Sequence, residues 1–276
     1  MGFMQSYSWG YQTMSATIYY FSGTGNSYNI AKNVCDCLEN SKLINIAREQ
    51  IPNYDNASDV IGIVFPLYYF GIPIIVEEFL RQLKTPENAY VFVIVTRGQP
   101  MAGGAKRQLD TAFHASGRTY NFFRYVTMGN NYPFHAFNGS TEEVKEQRNR
   151  KVGEKVLAFI ADIKSKKQSR IFSILDYPPF PTITYKIPTY GYKHFLQVYN
   201  QDTCFQVDES LCNKCKKCER ACSTDNIEMG LKVEWKHTSC QMCLACYNCC
   251  SKNAIQYVDP RNKVDTKGKR QYWNYI

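Results

Sequence analysis

Residues 17–27 read Thr17-Ile-Tyr-Tyr-Phe-Ser22-Gly23-Thr24-Gly25-Asn26-Ser27. A β-rich apolar run is followed by a turn of hydroxyl residues and glycines, and then by the start of a helical pattern. Backbone N–H groups of such a turn and of the helix N-terminus can surround a phosphate, and the glycines allow it to approach closely. The hydroxyls of Ser22, Thr24 and Ser27 can add donors. The stretch therefore predicts a phosphate-binding loop between a strand and a helix.

Two common phosphate loops do not fit these residues. A P-loop needs a lysine after its last glycine, and this turn has none. A dinucleotide fingerprint would place a third glycine at position 28, where the chain has Tyr28, and an acidic residue after the second strand, which is absent. From the turn alone, an ordinary tight strand–helix connection remains the alternative.

Strand-like and helix-like segments alternate after this loop. Near-continuous apolar strands between helices are typical of a parallel sheet covered on both faces, so the pattern predicts a doubly wound α/β domain. The predicted strands are residues 17–21, 43–46, 60–65, 89–96 and 122–127, and the predicted helices are residues 27–39, 73–84, 103–116 and 141–166.

A doubled cysteine motif dominates the C-terminal third. The run Cys212-Asn-Lys-Cys215-Lys-Lys-Cys218-Glu-Arg-Ala-Cys222 recurs twenty-eight residues later as Cys240-Gln-Met-Cys243-Leu-Ala-Cys246-Tyr-Asn-Cys-Cys250. Three cysteines at two-residue intervals can wrap around three corners of a 4Fe-4S cube, and the other copy supplies the fourth ligand. The predicted ligand sets are Cys212, Cys215, Cys218 and Cys250 for one cluster, and Cys240, Cys243, Cys246 and Cys222 for the other.

Paired zinc sites are the alternative, but they usually offer two separated C-x2-C pairs rather than an unbroken four-cysteine run made twice. The unit resembles the bacterial two-cluster ferredoxins, although Ser223 and Ser251 stand where that family usually has proline. Of the remaining cysteines, Cys249 aligns with Ala221 and is expected not to be a ligand. Cys204 is expected to pack in a core, and Cys35 and Cys37 are expected not to form a joint site.

The sequence Ser22-x-Thr24-Gly25-Asn26-Ser27 looks like the FMN phosphate loop of flavodoxins. Because a ferredoxin-like unit follows it in the chain, residues 17–275 as a whole resemble the EFR-type flavodoxin–ferredoxin fusion proteins of anaerobic microbes. The resemblance implies a flavodoxin-like five-stranded parallel sheet of order 2-1-3-4-5, a C-terminal α+β two-cluster ferredoxin domain, FMN and two 4Fe-4S clusters. Loops at the carboxyl ends of strands would contact the flavin. The implied FMN contacts are Ser22, Gly23, Thr24, Gly25, Asn26, Ser27, Pro66, Leu67, Tyr68, Tyr69, Phe70, Gly71, Thr96, Arg97, Gly98, Gly103, Asn131 and Tyr132.

Roles within these loops stay open. Tyr68, Tyr69 or Tyr132 could stack on the flavin ring, and packing is an equal alternative for each. Arg97 could lie near the pyrimidine edge of the flavin or be a solvated loop arginine. His135 and His237 are expected to be structural rather than proton donors.

These features divide the chain into five parts: an extension at residues 1–16, the FMN domain at 17–166, a Pro/Tyr-rich linker at 167–203, the ferredoxin unit at 204–260 and a basic, aromatic tail at 261–276. The first residues lack a secretory signal, which together with clustered cysteines predicts a cytoplasmic protein. Seventeen uncharged residues at 60–76 contain two prolines. They are expected to form a strand, a loop and a helix start, not a membrane span.

The formal charge of +9 is uneven, with 16 basic and 14 acidic residues in 1–165 against 17 and 10 in 166–276. We interpret the C-terminal excess of positive charge as compensation for negative cluster charge rather than as a nucleic-acid surface.

The main functional prediction is an electron-transfer protein that relays electrons between FMN, the clusters and a redox partner, either a ferredoxin or a flavoenzyme. The alternative is a reductase in which FMN reduces a quinone, nitro or enone acceptor. Redox sensing through a labile cluster has only the cysteines in its favour.

Overall fold

The computed structural model describes residues 14–48, 58–68, 71–98, 104–129, 142–170, 204–237 and 239–257. The N-terminal unit contains the strands β1 (Ala16–Tyr20), β2 (Ser41–Asn45), β3 (Val60–Pro66), β4 (Tyr90–Arg97), β5 (Phe122–Thr127) and β6 (Ser169–Arg170). Its helices are α1 (Asn26–Cys37), α2 (Ile74–Gln82), α3 (Ala105–Ala115) and α4 (Glu142–Lys164).

All six strands are parallel and lie in the order β2-β1-β3-β4-β5-β6. The predicted five-stranded order 2-1-3-4-5 is confirmed. The two-residue strand β6 extends the sheet beyond β5, inside the region that the sequence analysis assigned to the linker. Within the uncharged segment 60–76, β3 ends at Pro66 and α2 begins at Ile74, so the expected strand and helix start are present. No helix within the described residues is long and apolar enough to cross a membrane.

The central strands are apolar on both faces because the sheet is covered by helices on both sides. In β3, Ile61 and Ile63 belong to the core that α2 and α3 cover, while Val60 and Val64 face the core under α1 and α4. Gly62 lies between them, and a Cβ there would collide with the ring of Phe92 on β4. These strands therefore fix the two faces of the sheet and leave its carboxyl edge free for loops.

The C-terminal unit is small and has mixed α and β structure. The antiparallel strands β7 (Phe205–Val207) and β10 (Ile255–Tyr257) pair with each other, as do β8 (Ile227–Met229) and β9 (Val233–Trp235). Two one-turn helices, α5 (Lys217–Ala221) and α6 (Ala245–Cys249), each lie within one copy of the cysteine motif.

The two motif copies share one backbone conformation. Lys216, before α5, has φ 60° and ψ 12°, and Leu244, at the matching place before α6, has φ 60° and ψ 17°. Lys214 and Met242 form a second matched pair of left-handed residues, with φ 57° and 50°. Left-handed backbone is uncommon for residues other than glycine. Its recurrence at both positions shows that the sequence repeat is also a structural repeat.

Candidate functional site

The predicted phosphate loop connects β1 to α1. Gly25 has a φ of 101°, a conformation that favours glycine, and its N–H donates to Ser22 Oγ at 3.1 Å. The first N–H groups of a helix have no acceptor within the helix, so the turn presents donors at the sheet's carboxyl edge. The polar side chains of this loop are buried: Ser22, Thr24, Asn26 and Ser27.

Asn26 connects this loop to the loop that follows β5. Its Nδ2 donates to the carbonyl oxygen of Gly129 at 3.1 Å. Its Oδ1 is buried and accepts no hydrogen bond from the described residues. A buried acceptor without a donor is costly, so this oxygen suits a ligand that brings a hydroxyl or N–H group.

Thr96, at the end of β4, joins two further loops. Its hydroxyl lies 2.8 Å from that of Ser27, and both side chains are buried. Its carbonyl oxygen accepts from the N–H of Leu67 at 2.7 Å. The structure therefore brings together the loops after β1, β3 and β4, which the sequence analysis placed at one edge of the sheet.

Tyr68 lies in the loop after β3. Its N–H donates to the carbonyl oxygen of Gly71 at 3.0 Å, and its carbonyl oxygen accepts from the N–H of Gly71 at 2.8 Å. Its ring stands edge-on to Phe21, 6.2 Å between centroids, and also packs on the core of the C-terminal unit. Tyr68 is thus a packing residue between the two units.

Arg97 is held over the neighbouring strand. Its guanidinium lies 4.3 Å from the centre of the Tyr125 ring, and its Nε donates to Thr127 Oγ1 at 3.4 Å. The next residue, Gly98, accepts from Arg148 of α4 at 3.1 Å. Arg97 is therefore fixed by β5 rather than free in solvent.

Five predicted FMN contacts lie outside the described residues: Tyr69, Phe70, Gly103, Asn131 and Tyr132. His135 does as well.

The cysteines of the two motif copies interact across the repeat. Burial raises the pKa of Cys218 to about 11, and the negative charges of Cys250 and Cys215 add to this rise. Burial also raises the pKa of Cys246, with further contributions from Cys243, Cys240, Cys249 and Cys222. Cys250 of the second copy thus interacts electrostatically with Cys218 of the first, and Cys222 of the first copy interacts with Cys246 of the second. Cys249, which the sequence analysis did not predict as a ligand, also raises the pKa of Cys246.

Backbone donors point at two of these sulfurs. The N–H of Asn226 donates to Cys222 Sγ at 3.2 Å, and that of Met242 donates to Cys240 Sγ at 3.4 Å. Among the described residues, no group of three or more His, Cys, Asp or Glu side chains could hold a metal ion. A four-iron cube spreads its thiolates over separate corners, so its ligands need not converge on one point as those of a single zinc ion do.

The other cysteines occupy different surroundings. Cys204 is 2% exposed in the core of the C-terminal unit. Cys249 Sγ lies 3.4 Å from the carbonyl oxygen of Cys246. Cys35 Sγ lies 3.1 Å from Ser41 Oγ at the start of β2, while Cys37 packs on the core under α1 and α4. His237 is exposed and has a left-handed backbone with φ 56°.

The second motif copy packs against the phosphate loop. A Cβ on Gly23 would lie 2.5 Å from the carbonyl oxygen of Cys243 and 2.8 Å from the hydroxyl oxygen of Tyr68. Gln241 Oε1 accepts from the N–H of Ile75 in α2 at 3.3 Å. This contact was not predicted from the sequence, although a signal for it exists: the second copy has apolar residues at positions where the first has lysines.

The helix of the first motif copy, α5, also contacts the N-terminal unit. Arg48, in the loop after β2, donates from Nη2 to the carbonyl oxygen of Arg220 at 3.0 Å. Arg220 in turn donates from its own Nη2 to the carbonyl oxygen of Cys215 at 3.1 Å. Through these two hydrogen bonds, Arg48 and Arg220 connect the first cysteine loop to the N-terminal unit.

The strand order 2-1-3-4-5, with helices on both faces and loops gathered at the carboxyl edge, defines a flavodoxin-like fold. Solved structures similar to the chain include a putative flavoprotein from Bacteroides uniformis, at 18% identity and TM-score 0.34, matched over 50% of this chain and 99% of that one. A flavodoxin from Streptococcus pneumonia matches at 18% identity and TM-score 0.34, over 52% and 98% of the two chains.

An FMN-dependent NADH-azoreductase from Bacillus anthracis, solved with FMN, is 12% identical over 53% of this chain and 100% of that one, with a TM-score of 0.36. At these values the fold assignment rests on the strand order of this chain and not on the similarities. No family model and no curated protein matches the sequence.

Proposed function

We propose that this chain is an electron-transfer protein that binds FMN in its N-terminal unit and two 4Fe-4S clusters in its C-terminal unit. The observation that carries the proposal is the packing of Cys243, a predicted cluster ligand, directly on Gly23 of the predicted phosphate loop. Two redox cofactors exchange electrons efficiently only when they are close, and this packing joins the two proposed sites.

The residues of the carboxyl edge fit FMN. The turn after β1 offers N–H donors and a left-handed Gly25, which suits a phosphate group. The buried, unsatisfied Oδ1 of Asn26 suits a hydroxyl donor on the same ligand. Ser22 and Ser27 already have partners in Gly25 and Thr96. In the proposal their role is therefore to hold the loop in shape as well as to contact the phosphate.

The residues of the doubled motif fit two clusters. Thiolates supply the ligands that iron–sulfur clusters require. Two crossed sets of four agree with the packing of both copies in one core, and with the electrostatic interaction of Cys250 with Cys218 and of Cys222 with Cys246. The N–H groups that donate to Cys222 and Cys240 would stabilise negative charge on the sulfurs and so tune a bound cluster. Bound cofactors would supply one-electron steps at the clusters and two-electron chemistry at the flavin.

The reductase hypothesis depends on a cover over the flavin from residues 167–203, of which only 167–170 are described. The structure offers no observation that favours it over electron transfer, and it stays a prediction. The redox partner, a ferredoxin or a flavoenzyme, also stays a prediction.

The proposal is tested on full-length chain purified without oxygen and supplied with FMN, iron and sulfide. We expect flavin and about eight irons per chain. Rapid reduction of the clusters should be followed by reduction of the flavin on the same molecule, observed by stopped-flow absorbance. Protein that carries zinc in place of iron, or that excludes FMN, would refute the proposal, as would clusters and flavin that do not exchange electrons.

A further inference from the structure

The two copies of the cysteine motif have the same backbone conformation but differ in how far the residues between their cysteines are exposed to solvent. In the second copy the residues between the cysteines are buried: Met242, Leu244, Ala245 and Tyr247 are each at most 8% exposed. In the first copy Lys214, Lys216 and Lys217 occupy the positions of Met242, Leu244 and Ala245, and all three lysines are exposed. One copy therefore faces inward and the other faces solvent.

The inward copy is the one that packs on the phosphate loop. Cys243 contacts Gly23, and Gln241 accepts from the backbone of α2. The outward copy places Cys215 at the surface, where it is exposed together with the three lysines. Leu211, just before the first cysteine, is 44% exposed beside them. We call Lys214, Lys216 and Lys217 the lysine collar.

The collar's charge is not neutralised within the described part of the chain. None of its three lysines forms a salt bridge there. The nearest acidic residue in sequence, Glu219, accepts from the N–H of Met229 at 3.2 Å and so is engaged within its own unit. Three positive charges therefore surround an exposed cysteine with no compensating carboxylate bonded to them.

Compensation of cluster charge does not explain this pattern. Both proposed clusters would carry similar charge, yet the second copy has no lysine between its cysteines. The collar belongs only to the copy that faces solvent. A positive surface of this kind steers and orients a negatively charged partner.

We propose that the lysine collar is the docking surface for an acidic one-electron carrier protein. The carrier would exchange electrons through the first copy, which faces solvent, and the second copy, whose Cys243 packs on Gly23, would connect the first copy to the flavin. This inference rests on the proposed function. Each docking event moves one electron, so the carrier is oxidised by one electron as the cluster is reduced by one, or the reverse, and no proton is exchanged at this surface.

The test uses the full chain with both cofactors and an acidic two-cluster ferredoxin as the probe. The collar variant is Lys214→Gln/Lys216→Gln/Lys217→Gln. The matched control, Lys84→Gln/Lys151→Gln/Lys155→Gln, removes the same charge from exposed lysines of the N-terminal unit. Ferredoxin binding is measured by titration calorimetry, and cluster and flavin reduction by reduced ferredoxin are followed by stopped-flow absorbance.

For the unaltered chain we expect binding and the second-order rate to weaken as salt rises. The collar variant should raise Kd and lower the rate by about 10-fold at low salt and should lose most of the salt dependence, while the control changes by less than about 2-fold. Equal effects in the two variants, or none in the collar variant, would overturn the inference. Duplex DNA that binds the collar more tightly than the ferredoxin at the same salt concentration would also overturn it.

The same experiment separates this inference from the proposed function. Dithionite, a small reductant, should reduce the clusters of all three proteins equally. If the ferredoxin reduces the clusters through the collar but the flavin stays oxidised, the docking inference holds and the relay fails. If dithionite drives electrons from clusters to flavin but the collar substitutions have no effect, the relay holds and the docking inference fails.

Discussion

The carbonyl oxygen of Cys243 lies so close to Gly23 that a Cβ at position 23 would come within 2.5 Å of it. The Cβ of Cys243 and the hydroxyl of Tyr68 crowd the same place, at 2.9 and 2.8 Å. Glycine is therefore required at position 23 by the close approach of Cys243 and Tyr68.

Gly23→Ala should weaken the contact between the two units. The obstructing oxygen belongs to the backbone of a cysteine loop, so it cannot move aside as a flexible side chain could. We expect a loss of about 1–3 kcal/mol in the free energy of unfolding, measured in urea. We also expect slower electron exchange between clusters and flavin. Unchanged stability and exchange would show that the contact does not form in solution.

Gly153→Ala is the matched control for this substitution. Gly153 is exposed in the interior of α4, and a Cβ there would meet nothing within 4 Å. Alanine is the better helix former, so we expect this variant to gain about 0.5–1 kcal/mol. A loss in both variants would indicate a general intolerance of the added methyl group.

Ser27 and Thr96 should behave as a coupled pair, because their hydroxyls lie 2.8 Å apart in a buried place. Ser27→Ala and Thr96→Val each leave one hydroxyl without this partner, and each should cost about 1–3 kcal/mol of stability in the FMN-free chain. The double variant should cost clearly less than the sum. Urea unfolding of all four proteins measures the coupling, and strictly additive losses would contradict it.

Tyr90 should make stability depend on alkaline pH. Its hydroxyl donates to the carbonyl oxygen of Lys167 at 2.7 Å, and burial raises its pKa from 10.0 to about 12, with the negative charge of Asp162 adding to the rise. A raised pKa favours the protonated, folded form, so this contribution is complete below pH 10 and is lost as pH rises through 12.

The matching variant is Tyr90→Phe, compared with the unaltered chain by urea unfolding between pH 8 and about 12. The unaltered chain should lose stability more steeply between pH 10 and 12, so the difference between the two proteins should shrink over that interval. A difference that stays constant across this range would show that Tyr90 does not titrate there.

The fold was predictable because its signals are local. Apolar strands such as β3, followed by turns and helical patterns, predicted the five units and a parallel sheet. The strand order followed from the resemblance to flavodoxins. The turn at Gly25 was predictable for the same reason, because its left-handed backbone connects residues adjacent in sequence. The motif copies could also be aligned by spacing alone, and the matching left-handed residues Lys216 and Leu244 agree with that alignment.

What escaped prediction depends on contacts between distant residues. Strand β6 has only two residues and is held by pairing with β5, so it has no sequence pattern of its own. Arg97 is placed by Tyr125, a residue on the next strand, and not by its own loop. The packing of Cys243 on Gly23 joins two units whose relative placement no periodicity encodes.

The crossed ligand sets give the sharpest test of the C-terminal unit. If Cys222 serves the second copy's cluster, Cys222→Ala and Cys246→Ala should remove the same cluster, and Cys218→Ala and Cys250→Ala the other. Each should reduce iron from about eight to about four per chain. The paramagnetic resonance spectrum of the reduced protein identifies which cluster remains.

Cys249→Ala is the control. Cys249 aligns with Ala221 of the first copy, which is not a cysteine, and its sulfur contacts the carbonyl oxygen of Cys246. This variant should keep about eight irons. If Cys222→Ala instead leaves the same spectrum as Cys218→Ala, each copy binds its own cluster and the crossing is wrong. The two copies already pack in one apolar core, so in the crossed arrangement each cluster would add a covalent link between them.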